Sequence, residues 1–215
     1  MEGDLASTGD DVPPNSLRRT AVLCVFGLVV AAILTLLQTQ RSGLEQDYTT
    51  VALVFIAWML AAALIGSIYP LADKWFYDGK IHDFKQDWSN AIRSVAILVG
   101  IHQASTKIPF SNVYELVGTL IFLALGLWWM SDRSKCGFIL ALLFSVFGAV
   151  IGAGAKYVGY ASVQNEANLF GYVSDWCIGY SASITFGSIG RILAMPPSQR
   201  SKRYLTDSSD KVHVE

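Results

Sequence analysis

The chain has 215 residues, 53% of them hydrophobic and only 15% charged, and its mean hydropathy is +0.41, whereas an average soluble domain carries about 25% charged residues. A formal net charge of −1 offers no basic field for phosphates, and three cysteines outside any CxxC spacing make neither a disulfide framework nor a metal knuckle. The composition therefore argues against a soluble enzyme, a disordered chain or a nucleic-acid binder, and for a membrane protein.

Six apolar runs follow one another, at residues 21–37, 51–69, 91–104, 113–130, 137–157 and 173–195. A spanning helix needs about 20 mostly apolar residues. The third run is interrupted by Arg93, so it must begin at Trp88 and Ser89 with Arg93 snorkelling to the head groups. The sixth carries Arg191 near its end and is given the same reading. The expected fold is all-α and polytopic, with six transmembrane helices over residues 18–195. Residues 1–17 and 196–215, the second opened by Pro196 and Pro197, are polar tails expected to be disordered. Eleven of the sixteen Lys and Arg residues, from Arg18 and Arg19 to the Arg200–Lys211 group, fall on one side of this arrangement. Only Arg41, Lys107 and Lys156 fall opposite. The positive-inside bias puts both termini in the cytosol.

Lipid gives helices no hydrophobic reason to associate, so small residues at helical spacing must bring them close. Such stripes run through span one (Cys24, Gly27, Ala31, Thr35), span three (Ser89, Ala96, Gly100, Ala104), span five (Gly148, Gly152) and span six (Gly179, Ser183, Gly187, Gly190). Intramolecular packing is the expectation for most of these glycines, with a docking face for another membrane protein as the alternative. In span four, Glu115, Thr119, Phe122, Gly126 and Trp129 share one face that runs from polar through small to aromatic. That face suits an amphiphile with one polar group and a flat apolar body, although Glu115 lies near the luminal end and can simply reach water. Trp128 and Trp129 fit an interfacial belt.

Catalytic signals are weak. His82, His102 and His213 are dispersed, and there is no HExxH, Gly-rich phosphate loop or GxSxG elbow. Ser188 with His102 would make an intramembrane nucleophile pair only with an oxyanion site in register. A packing stripe accounts better for Gly187 and Ser188. No enzyme activity, cofactor or metal site is expected.

The junction between spans four and five reads GLWWMSDRSKCGF at residues 126–138. It resembles the GLWW..DRS..GF segment of the Insig (insulin-induced gene) family. Further similarity lies in LLQTQR at 36–41, Trp88–Ser89, VGIHQASTK at 99–107 and SIGRILAM at 188–195, in the family's order and spacing. The tail KVHVE at 211–215 fits a coatomer-retrieval pattern through Lys211 and His213 on a cytosolic end. The resemblance implies a six-span resident of the endoplasmic reticulum membrane that brakes sterol synthesis. With an oxysterol such as 25-hydroxycholesterol as regulatory ligand, it would hold the sterol-sensing domain of Scap and retain SREBP precursors. It would also link HMG-CoA reductase to a membrane ubiquitin ligase. The alternative is a diacyl-lipid-binding homo-oligomer of the wider family without a Scap partner.

By the same resemblance Leu98, Glu115 and Thr119 line the sterol region, where the vertebrate pattern usually has Phe and Gln at the first two positions. Asp132 matches the family's aspartate required for partner binding, and Trp128 borders that surface. The residues alone give Asp132 a second role, as the N-cap of span five beside the positive end of its dipole. Arg133, Ser134 and Lys135 are expected to be solvated, with Ser134 a candidate phosphorylation site.

Overall fold

Each apolar run becomes one helix: α1 Ser16–Ser42, α2 Tyr48–Phe76, α3 Trp88–Lys107, α4 Val113–Ser131, α5 Lys135–Tyr157 and α6 Leu169–Ala194. The structure, a computed structural model, describes residues 16–42, 48–76, 87–107, 112–157 and 169–195. Lys211 and His213 lie outside them, as does nearly all of both expected tails. Among the described residues four stretches are long and apolar enough to cross a membrane: Ser16–Leu37, Val51–Phe76, Tyr114–Ser131 and Lys135–Gly154. By that measure α3 and α6 do not qualify.

The position of α6 explains its weaker apolar signal. It packs against all five other helices, and every residue from 180 to 192 is buried. A helix sheathed by protein is not selected for uniform greasiness, provided its polar groups are bonded. The hydroxyls of Ser181, Thr185 and Ser188 donate to the carbonyls of Cys177, Ser181 and Ile184 at 2.8, 2.9 and 2.8 Å, each one turn back. Thr185 Oγ1 also reaches the Ser94 carbonyl of α3 at 3.3 Å. Around α6 the apolar core divides into three clusters. One joins α1, α2, α3 and α6 about Leu23, Leu98 and Phe186. A second joins α3, α4 and α6 about Ile101 and Leu120. The third joins α4, α5 and α6 about Leu127 and Ile184.

The outer surface is greasy too. Leu53, Ile56, Leu60 and Leu64 of α2 and Leu143, Phe147 and Val150 of α5 are exposed, apolar helix faces suited to acyl chains rather than to water.

The stripes of small residues divide into two kinds. At Gly190 an added Cβ would run into the backbone of Gly66, so α6 and α2 touch main chain to main chain. Such an approach is open only to glycine. Gly27 is similarly tight against α2. Gly100, Gly126, Gly148 and Gly152, by contrast, have nothing within 4 Å of where a Cβ would stand. Intramolecular packing therefore accounts for Gly27, Gly187 and Gly190 but not for Gly100 or the α5 pair, because α3 and α5 turn those positions away from α6.

Candidate functional site

The fourth and fifth helices are joined by three residues, 132–134, and the geometry there is set by hydrogen bonds rather than by the apolar core. Asp132 closes α4 as its C-cap, its amide donating to the Trp128 carbonyl at 2.9 Å. Arg133 follows with φ 48, a left-handed conformation rare for a residue with a long side chain. Its Nε donates to the Trp129 carbonyl at 2.9 Å and its guanidinium lies 4.9 Å from the Trp129 ring centroid. Ser134 then opens α5. Its Oγ accepts from the Gly137 amide at 2.9 Å, and its carbonyl accepts from the Phe138 amide at 3.1 Å.

This corrects two sequence expectations. Ser134, not Asp132, N-caps α5, because the αL turn at Arg133 leaves Asp132 on the α4 side of the junction. Ser134 is also buried rather than solvated, unlike Arg133 and Lys135, which are exposed.

The Asp132 carboxylate is turned inward and is 3% exposed. Its Oδ1 accepts from Ser134 Oγ at 2.7 Å and from Nη1 of Arg191. Arg191 is itself 5% exposed, so it does not snorkel. It faces into the bundle and spans two carboxylates. Its Nε and Nη2 hold Asp73 of α2 in a bidentate pair at 2.5 and 2.8 Å, and Nη2 also reaches Ser134 Oγ at 3.3 Å. A planar fork with five donors is the group able to make this bridge, which a lysine could not. The guanidinium lies 5.0 Å from the centroid of the Tyr69 ring. The Tyr69 hydroxyl donates to the Gly137 carbonyl at 3.2 Å and lies 3.1 Å from Ser183 Oγ. One polar knot thus ties α2, the α4–α5 junction and α6 together.

The knot holds two carboxylates and one guanidinium, and Asp132 Oδ2 has no hydrogen-bond partner among the described residues. Burial raises the Asp132 carboxyl above its ordinary pKa, with the charge of Arg191 and the Ser134 bond pulling the other way. Among the described residues no group of three or more His, Cys, Asp or Glu side chains is placed to hold a metal.

Gly137 completes the knot, since a Cβ there would collide with the Asp132 carboxylate and the Ser134 hydroxyl. Gly137→Ala is expected to destabilise the bundle by roughly 1–3 kcal/mol through overpacking. Gly148→Ala, on the open face of the same helix, should be neutral or stabilising by up to about 1 kcal/mol. Thermal unfolding of the two variants in detergent gives opposite signs if the Gly137 contact is real.

Trp128 lies one turn before Asp132 on α4, its carbonyl accepting from the Asp132 amide. Trp128 Nε1 donates to the Ser134 carbonyl at 3.1 Å and its ring meets Phe138 edge-on at 4.9 Å. It is Trp129, 57% exposed, that faces outward. The three sterol candidates divide. Glu115 is exposed on the first turn of α4, and Thr119 beside it is half-buried, its hydroxyl donating to the Glu115 carbonyl at 2.7 Å. Both lie on the outer face with Phe122 and Trp129, opposite the buried Leu116, Leu120, Ala124 and Leu127. Leu98 is not on that face, being fully buried among α1, α2 and α6. Ser188 is occupied by the Ile184 carbonyl.

Sequence reasoning missed Asp73, Tyr69 and the inward course of Arg191. The available signal was an arginine in an otherwise uncharged stretch of helix, which by default has a partner.

The family model described as insulin-induced protein (INSIG) matches residues 18–194. Insulin-induced gene 1 protein of Danio rerio is 38% identical over 195 residues, covering 86% of this chain and 76% of the relative. The Mus musculus protein of the same name is 37% identical over 204 residues, covering 88% and 77%. The Xenopus tropicalis protein is 37% identical over 194 residues, covering 86% and 75%. With the apolar helices these matches make it a multi-pass membrane protein, and the chain belongs to the insulin-induced protein (INSIG) family.

Proposed function

We propose that this chain is an oxysterol-dependent regulatory binding protein of the endoplasmic reticulum membrane. It crosses the bilayer six times with cytosolic termini. It retains a Scap–SREBP complex and promotes degradation of HMG-CoA reductase through a membrane ubiquitin ligase, so both actions restrain sterol synthesis. The observation that carries this reading is the buried Asp132–Arg191–Asp73 knot beneath the α4–α5 junction. On the resemblance of residues 126–138, Asp132 stands where the family has its partner-binding aspartate, and at 3% exposed it is too buried to offer its own carboxylate to a partner. It acts by fixing the shape of a surface capped by the Arg133 turn and the exposed Trp129 ring.

The sterol would lie against the outer face of α4, where Glu115 and Thr119 supply polar contacts at one end and Phe122 a flat apolar wall. A ligand in that place gains further contacts in the complex, and it shifts the equilibrium only by its preference for bound over free partners. A coupling of about 1–3 kcal/mol changes partner affinity by roughly 5–150-fold.

Co-purification with a Scap-type membrane protein, with and without 25-hydroxycholesterol, tests the proposal. Capture should rise with the sterol, and capture that is equal in both conditions overturns it. Binding of diacylglycerol in place of the oxysterol would indicate the lipid-binding homo-oligomer instead. Thr119→Trp is expected to weaken sterol binding about tenfold, in line with an overpacking cost of ~1–3 kcal/mol. Unchanged affinity in both Thr119→Trp and Glu115→Ala removes this face from the site.

A further inference from the structure

Pro70 lies inside α2, between the two residues that α2 sends to Arg191, Tyr69 and Asp73. A proline has no amide to give to the carbonyl four residues back, and its ring pushes that carbonyl aside. Here the abandoned carbonyl belongs to Gly66. It is not left bare, because Nη2 of Arg19, in the first turns of α1, donates to it at 2.7 Å and lies 3.3 Å from the Ser67 carbonyl. The other side of Gly66 is covered by the backbone of α6 at Gly190. The weakened turn is therefore clamped between an arginine on one neighbour and a glycine on the other. Its course decides where Asp73, one turn further on, arrives.

We propose that Arg19 is a positioning residue for the Asp132 site, replacing the amide missing at Pro70 and so holding α2 on the path that delivers Asp73 to Arg191. This concerns the assembly of the knot itself and holds whichever partner the junction serves.

Two buried cysteines give a local readout. Cys136 is 2% exposed, in the first turn of α5 beside Asp73. Cys177 is 0% exposed, and its place in α6, fourteen residues before Arg191, puts it about 21 Å away along the helix. The full chain carrying Cys24→Ser, in membranes, is labelled with N-ethylmaleimide and the rate at each cysteine followed by mass spectrometry. Arg19→Gln should raise Cys136 labelling about tenfold, as expected when a hydrogen bond from a charged donor is lost. Cys177 should stay protected, and Arg19→Lys should recover part of the protection. In a Pro70→Ala background position 70 regains its amide, so adding Arg19→Gln should leave the Cys136 rate unchanged. The proposal is overturned if Arg19→Gln does not expose Cys136, if it exposes both cysteines together, or if its effect is undiminished in Pro70→Ala.

Discussion

Arg191→Met is expected to cost the bundle about 3–5 kcal/mol, the range seen when one partner of a buried ion pair is removed and the other charge is stranded. Methionine keeps much of the apolar stem, so the loss is electrostatic rather than a cavity. Two carboxylates, Asp73 and Asp132, would be left facing one another without the cation that separates them. Because α6 touches every other helix, the damage should spread through the fold and appear as a lower unfolding midpoint in detergent. The triple variant Arg191→Met, Asp73→Asn, Asp132→Asn should recover most of that loss, since a neutral hydrogen-bonded cluster carries no uncompensated charge. A single variant as stable as the parent would mean that the guanidinium does not hold the two carboxylates apart.

The helices were legible in the sequence because lipid imposes a simple rule, about 20 apolar residues in a row, and four of the six helices obey it plainly. The rule fails at α6, which is wrapped in protein, and at α3, whose apolar run is interrupted by Arg93. Only α1, α2, α4 and α5 carry the plain signal, and α6 is more polar because its serines and threonine bond to its own backbone one turn back. The candidate site was half legible. Asp132 and Trp128 stand in a contiguous segment whose pattern can be read along the chain. Arg191 and Asp73 are 118 residues apart in sequence, and only the packing of α2 against α6 makes them neighbours. Periodicity also could not separate Gly187 and Gly190 of α6, pressed against α2, from Gly148 and Gly152 of α5, which face open space. Both look like small residues at helical spacing. Which face a helix turns inward depends on its neighbours.

Asp132→Ala should separate function from folding. It removes one carboxylate from a cluster that holds two, so Arg191 keeps its bidentate bond to Asp73 as a neutral pair. The carboxylate accepts two charge-assisted hydrogen bonds, each worth about 1.5–3 kcal/mol, and their loss is partly offset because a buried carboxylate and its repulsion with Asp73 go with them. The junction fares worse. Ser134 loses its acceptor, and Nη1 of Arg191 loses its hold on the end of α4. The αL turn at Arg133 and the Trp129 surface then keep only the 3.3 Å contact of Arg191 Nη2 with Ser134 Oγ as a polar tether to α6. Capture of a Scap-type partner is expected to fall at least about tenfold, which corresponds to roughly 1.4 kcal/mol of binding free energy. Asp73→Ala is the matched control. It makes the same change in charge at a less buried position, 19% exposed against 3%, but it leaves Asp132, Ser134 and Arg191 joined at the junction, so capture should persist. Measured at equal amounts of folded protein, the two variants should diverge in partner binding while their unfolding midpoints move together. Equal loss of capture in both would mean that the knot serves stability alone, and that the partner reads some other part of the surface.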